Sequence, residues 1–421
     1  MTDLAVAGSL VARTVPLDPA AATDLLAWAG EGGLVWERDG TGLAGKGVAL
    51  RVELPCGIGE AGAADRVAAA LAAVGSDDHV GQAGCGPVAI GALPFDRSAP
   101  AVMLVPETVV GRSRDGSAWL TTIGPEGAAV HRGALGALPQ PDPEPSPDAF
   151  QLVATRSHQD WCACVEAAAD AVRSGRLAKV VLAREVAVEA NRPIVVSEVL
   201  RRLRALYPSC MLFSVEGFIG ASPELLISRR GRAVRSHPLA GTVPRSGDPE
   251  TDERLARSLL ASPKDRAEHR VVVEAVAGML GELCDRLDVP PTPSIVPLRN
   301  VSHLGTAISG TLAAGSIAPS ALELAMRLHP TPAVAGTPTT KALEYLRAVE
   351  GFDRGRYAGP VGWVDARGDG EFAIGIRSAD IDGTRARLVA GVGIVADSNA
   401  ESELAETQFK LQALLAAVVR P

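Results

Sequence analysis

Val389-Ala390-Gly391-Val392-Gly393-Ile394-Val395, Asp397-Ser398-Asn399 and Glu403-Leu404-Ala405-Glu406-Thr407-Gln408-Phe409-Lys410-Leu411 follow one another near the end of the sequence. The first run is apolar and β-branched, which predicts a buried strand. The polar triplet supplies side-chain oxygens suited to a helix N-cap. The predicted helix spans 403–419. Glu403 and Glu406 stand three apart and Lys410 four further on, so all three share one face. Read alone, Glu406 and Lys410 form an ordinary surface ion pair. Read with the strand before it, the first helical turn aims two carboxylates at whatever lies above the loop.

The pattern continues upstream. Residues 361–365, 372–381 and 386–395 are apolar runs separated by turn residues, a predicted antiparallel meander. Helical periodicity marks 157–174, 195–206, 252–260, 266–287, 321–327 and 339–349. A buried strand covers 179–184, and 210–215 with 224–229 bracket a hairpin. The sum is an α+β fold with mainly antiparallel strands and helices outside them. Residues 1–135 are less regular. They carry helical patterns at 20–29 and 63–74 and strands at 34–37, 47–52 and 102–106. The glycine-rich run 81–96 reads as turns, and no phosphate-binding Gly-Lys-Ser/Thr follows it. This α/β part is expected to add strands to the same fold. Residues 136–149, with prolines alternating with acidic residues, form an extended connector to a core over 150–421.

Composition narrows the function. The 421 residues carry 41 Lys and Arg against 49 Asp and Glu, a net charge of −8, which argues against a general nucleic-acid surface. No apolar run reaches the ~20 residues of a membrane span, and the N-terminus lacks a signal-peptide layout. A cytoplasmic enzyme is the expectation. The scattered cysteines match no zinc spacing.

Several charged residues sit where a core belongs. Lys179 opens the run Val180-Val181-Leu182. If buried there, it becomes a usable general base. Glu224 stands at the mouth of an apolar strand in Ser222-Pro223-Glu224-Leu225-Leu226. Glu268 lies in the first turn of a long predicted helix. Arg377, inside a predicted strand, calls for an anionic partner. The Gly241-Thr242 backbone suits contact with an anion, and His237, His303 and His329 sit among apolar or rigid neighbours. Together these make a hard-cation site (Glu268, Glu403, Glu406), two carboxylate clamps (Arg377, Lys410) and a base–acid pair (Lys179, Glu224). Mg²⁺ suits such carboxylates shared with substrate oxygens, and the set suits a small dianion.

These strings, over roughly 150–411, resemble the chorismate-utilising family of anthranilate, aminodeoxychorismate, isochorismate and salicylate synthases. The resemblance implies large antiparallel sheets packed together with helices outside. It implies Lys179 as the base that activates water, where amine-adding members have glutamine. It implies Glu224 as the acid for the departing C4 hydroxyl, and Mg²⁺ held by Glu268 and Glu406 with help from Glu403. The ring carboxylate of chorismate would lie on the metal near Gly241 and Thr242. The enolpyruvyl carboxylate would meet Arg377, Lys410, Tyr357 and the Gly391 backbone, with His303 near the ring. Ala240 stands where aminodeoxychorismate synthases have a covalent lysine. Ala333, in His329-Pro330-Thr331-Pro332-Ala333, stands where salicylate and anthranilate synthases have threonine. Lys179 with Ala333 thus implies conversion of chorismate to isochorismate, feeding siderophore or menaquinone synthesis; no glutaminase subunit is expected, and a monomer is the default. A salicylate synthase, a non-catalytic chorismate-binding relative and an amine-adding synthase are the alternatives. On this reading Glu406 and Lys410 face different ligands, metal and carboxylate, more than each other.

Overall fold

The computed structural model describes residues 10–18, 20, 24–126, 146–315 and 318–419. Most of the proline-rich connector lies outside them. Within them the strands form a 13-stranded, a 9-stranded and a 3-stranded sheet. Pairing is antiparallel except where Leu10–Leu17 meets Gly75–Asp78. The first two sheets pack face to face. Trp36, Leu43, Trp119, Phe213 and Phe218 of the 13-stranded sheet share one buried cluster with Ile90, Leu104, Trp363 and Ala373 of the 9-stranded sheet. Scarce aromatics are concentrated there, where large side chains must bridge the ~10 Å between sheets.

Helices cover the outer faces. Leu25–Ala29, Val196–Leu206 and the final helix, Ala400–Val419, bury leucines against strands of the 13-stranded sheet. Strands from residues 1–126 occupy one end of each large sheet. The join in the first is Leu34–Arg38 against Met211–Val215, and in the second Val88–Ala92 against Pro360–Asp365.

Four local expectations are corrected. The run 81–96 contains a strand, Val88–Ala92, buried at every position. Its Gly91 is needed for packing, since a Cβ there would sit 2.3 Å from Met103 Sδ. The long helix ends at Gly281, and Cys284–Asp288 pairs as an edge strand with Ile308–Leu312. The helix expected over 20–29 is observed only as Leu25–Ala29, with 21–23 outside the described residues. Finally, 372–381 is two strands. Gly370–Ile374 belongs to the 9-stranded sheet and Ser378–Asp382 to the 13-stranded one. Arg377 is therefore not inside a strand. It turns the corner between sheets with φ 52°, a left-handed conformation costing a non-glycine residue roughly 1–2 kcal/mol.

Candidate active site

Three corners of this kind meet. Ser222-Pro223-Glu224 carries the chain from the 13-stranded to the 9-stranded sheet, and Gly375-Ile376-Arg377 carries it back. Pro238 leads from the 9-stranded to the 3-stranded sheet. The corners are bonded together: Ile374 N–H donates to Glu224 O at 3.1 Å, and Leu239 N–H to Glu224 Oε1 at 3.3 Å. Backbone that leaves a sheet frees its side chains to face a common space. That space is a cavity lined by every site residue named from the sequence: Lys179, Glu224, Gly241, Thr242, Glu268, His303, Ala333, Tyr357, Arg377, Gly391, Glu403, Glu406 and Lys410.

The floor comes from two paired strands, Lys179–Ala190 and Arg385–Ile394, with Val181 opposite Gly393 and Ala183 opposite Gly391. Strand alternation puts Lys179 and Val181 on the cavity side with the two glycines. Both glycines keep the floor open. A Cβ on Gly393 would lie 2.7 Å from Lys179 Cε and 2.9 Å from Glu268 Oε1. One on Gly391 would lie 3.1 Å from the Tyr357 hydroxyl.

Charge is balanced tightly. Lys179 Nζ donates to Glu268 Oε1 at 2.8 Å, with the lysine side chain 5% and the glutamate 16% exposed. Burial pushes the Glu268 carboxyl up, but Lys179, with Lys410 and Lys264, more than offsets it and holds the group below its ordinary range. The general base expected at Lys179 is therefore not free in this structure: it is one half of a buried ion pair. Lys410 Nζ lies 2.6 Å from Glu406 Oε1 and donates to Gly391 O at 2.9 Å. The expected divergence of Glu406 and Lys410 is also not met. Their i,i+4 spacing on a half-buried wall lets them neutralise each other. Among the described residues Glu403 forms no ion pair, and burial, with Glu406 beside it, raises its pKa against the pull of Ser398, Lys264 and Lys410.

Glu224 is 4% exposed. Burial drives its pKa up from 4.5 to about 7, against the pull of the Leu239 N–H, Lys179, Arg377 and Lys410. It holds a proton near neutrality. Burial, then Arg377 and Lys410, push His303 down to about 3, so its ring is neutral. Arg377 Nη2 lies 3.3 Å from His303 Nε2. A guanidinium only donates, so Nε2 accepts and Nδ1 carries the hydrogen. Nδ1–H then faces Gly241 O at 3.2 Å and Thr242 Oγ1 at 3.1 Å. One hydrogen-bond chain links the Arg377 corner to the Gly241-Thr242 edge.

Residues 9–419 match the chorismate binding enzyme family. This chain belongs to that family. It is 39% identical over 343 residues to the isochorismate synthase DhbC of Bacillus subtilis, covering 79% of this chain and 81% of the relative. It is 34% identical over 337 residues to the isochorismate synthase EntC of Escherichia coli, covering 78% and 80%. The solved structure of MenF, the menaquinone-specific isochorismate synthase from Escherichia coli, superposes with a TM-score of 0.82 at 27% identity over 98% of this chain and 95% of that one. The antiparallel two-sheet fold is that of the chorismate-utilising enzymes.

The sequence reading passed over other residues of this family member's cavity. Lys264 and Asp265, just before Glu268, also line it. Arg354 lines it from below, 3% exposed. It bonds both oxygens of Glu350, and donates to Val334 O at 2.7 Å and Val181 O at 2.6 Å. Glu350 Oε1 accepts the Ala183 N–H at 2.8 Å. The pair ties the strand bearing Lys179 to the loop bearing Ala333. Its only local sequence signal is an i,i+4 Glu–Arg spacing, common on surfaces. His237, His269 and His329 also have lowered pKa values from burial. His329 Nε2 donates to Phe95 O at 2.9 Å, and His269 Nε2 meets Thr306 Oγ1 at 2.7 Å. None of these three lines the cavity.

Among the described residues no helix is long and apolar enough to cross a membrane, and all six cysteines are free.

Proposed function

We propose that this chain is an isochorismate synthase, converting chorismate to isochorismate. The observation that carries the proposal is the pairing, in one cavity, of a lysine amine with a carboxyl protonated near neutrality. In this reading Lys179 takes a proton from the water that attacks C2. The ring double bonds shift, and Glu224 gives its proton to the C4 hydroxyl, which leaves as water. The product is an isomer of the substrate, and the two groups exchange roles in reverse. Each such group is typically worth ~10²–10⁴-fold. Arg377 and Lys410 bind the substrate's carboxylate, and the Arg377–His303–Gly241 chain orients the guanidinium.

Mg²⁺ is the proposed cofactor. The donor set fits a hard cation, being three carboxylates lining one cavity. They are not drawn into a finished cage: among the described residues no group of three His, Cys, Asp or Glu converges tightly enough to hold an ion. Instead, lysine ammonium groups compensate Glu268 and Glu406. Glu268 and Glu406 would hold the ion, with Glu403 assisting. Bound there, it supplies Lewis-acid polarisation of substrate oxygens. Lys179 acts as the base only after its ammonium has released a proton to solvent, a loss favoured once Glu268 turns from it to the cation. Ala333 favours stopping at isochorismate, and Lys179 favours water over an amine, so no glutaminase subunit is invoked. We further read the enzyme as a cytoplasmic monomer supplying siderophore or menaquinone synthesis.

Incubation of the purified protein with chorismate and Mg²⁺, followed by product separation, tests the proposal. Isochorismate alone is expected. Salicylate with pyruvate would replace it with a salicylate synthase, and no turnover would overturn catalysis altogether. For the metal, Glu406→Ala is expected to raise the Mg²⁺ concentration needed for half-maximal rate at least tenfold; an unchanged titration removes Glu406 from the metal shell.

A further inference from the structure

Behind the floor of the active site, on the helix side of strand Lys179–Ala190, lies a second and smaller cavity of about 80 Å³. It opens at the surface beside Thr155 and Gly351, both exposed, and runs inward to Trp161 and Arg184, both buried. Arg184 is 6% exposed. Among the described residues its guanidinium makes no hydrogen bond or ion pair, and its Nε is shielded from solvent without a partner. The indole Nε1 of Trp161, 1% exposed, is likewise unpartnered. Burial lowers the Arg184 pKa, yet an arginine does not give up its proton in a protein. A full positive charge therefore faces this cavity with no free carboxylate opposite it, and a largely buried charge favours a counter-ion.

The surrounding charges do not supply the missing partner. Two carboxylates reach the cavity wall, and each is already engaged: Glu185 by Arg387 and Glu350 by Arg354. The other cation on the wall, Arg156, donates to neutral acceptors, Cys164 Sγ and the carbonyls of Val349 and Glu350. Cys162, on the same helix as Trp161, is kept as a thiol by burial and by Glu401 and Glu166. With the two Glu–Arg pairs cancelled, Arg156 and Arg184 leave two positive charges facing about 80 Å³ of space. A water takes up about 30 Å³ of liquid, so the space admits one small anion or a few waters. Waters would satisfy the donors but not the charge.

We propose that this cavity is a binding site for a small inorganic anion, of the size of chloride or phosphate, held by the Arg184 guanidinium and the Trp161 indole N–H with Arg156 at the entrance. It is separate from the substrate cavity, which lies across the strand. The two are joined through Glu350, which faces this cavity and bonds the Arg354 that lines the other.

The test is thermal denaturation of the purified full chain, metal-free and without chorismate. Chloride or phosphate is titrated at constant ionic strength against gluconate, an anion too large for the space. A saturable rise in Tm is expected, about 3 °C at roughly 100-fold excess over Kd, with the stronger of the two arms naming the natural class. Arg184→Met keeps the volume and removes the charge. It should abolish the rise, and in gluconate alone it should melt no lower than the parent. Crystals of the parent protein soaked in bromide give a second readout independent of any variant. An anomalous peak within contact distance of Arg184 supports the site. Equal Tm in all salts, or a bromide map empty at Arg184, overturns it.

Discussion

Replacing Glu224 by glutamine separates the two consequences of burying a carboxyl. The structure raises its pKa from 4.5 to about 7, chiefly by desolvation. At ~1.4 kcal/mol per tenfold, that corresponds to about 3 kcal/mol between the protonated and ionised forms. The folded pKa lies above the unfolded one, so the native state binds the extra proton between pH 4.5 and about 7. The stability tied to that proton is fully present below about pH 4.5 and is lost as pH rises through about 7. Glutamine is neutral throughout, and its side-chain oxygen still accepts the Leu239 N–H. Glu224→Gln is therefore expected to match the parent near pH 4.5 and to exceed it by about 3 kcal/mol above about pH 8. With an unfolding entropy near ~2 cal/mol/K per residue, the gain is roughly 3–4 °C in Tm. Turnover is expected to fall ~10²–10⁴-fold below about pH 7, because an amide cannot protonate the leaving hydroxyl. Parent kcat/KM is expected to decline above about pH 7, as the acid form is depleted. Scanning calorimetry of both proteins across this range, beside the product assay, measures all three. A Tm difference that does not change with pH would refute the buried-acid reasoning. So would parent-like turnover in the variant.

Lys179→Ala is expected to abolish turnover while the fold is retained and Mg²⁺ still binds by calorimetry; near-normal rates would remove Lys179 as the base. Gly393→Ala places a methyl group 2.7 Å from Lys179 Cε and 2.9 Å from Glu268 Oε1. It should cost at least tenfold in kcat with a small change in Tm, and a fully active variant would mean that neither group needs its present position. Arg354→Met leaves Glu350 buried without its cation, a loss of about 3–5 kcal/mol readable by urea denaturation. An unchanged midpoint would show that the pair contributes nothing net.

The strand at 389–395 and the helix after it were legible because alternation and 3.6-residue periodicity are local properties that burial enforces. Asn399 does cap that helix, accepting the Ser402 N–H at 3.0 Å. The meander was legible as apolar runs, but not the parting of 372–381 between two sheets, because Gly375-Ile376-Arg377 has no turn signature of its own. Val88–Ala92 was hidden for the opposite reason. Its glycine looked like a breaker, whereas the neighbouring Met103 is what demands it.

The sequence alone determined which residue types were available and where most of the strands and helices of the C-terminal core lay. Spacing placed Glu403, Glu406 and Lys410 on one face, and apolar runs exposed Lys179 and Glu224 as charges out of place. Their assignment to one site rested on resemblance. Only the tertiary structure decided their protonation and pairing: Lys179 on Glu268, Lys410 on Glu406, Glu224 protonated and His303 neutral. These depend on desolvation and on Coulomb partners brought from up to hundreds of residues away. Both quantities come into being only when the two sheets close over the corners that join them.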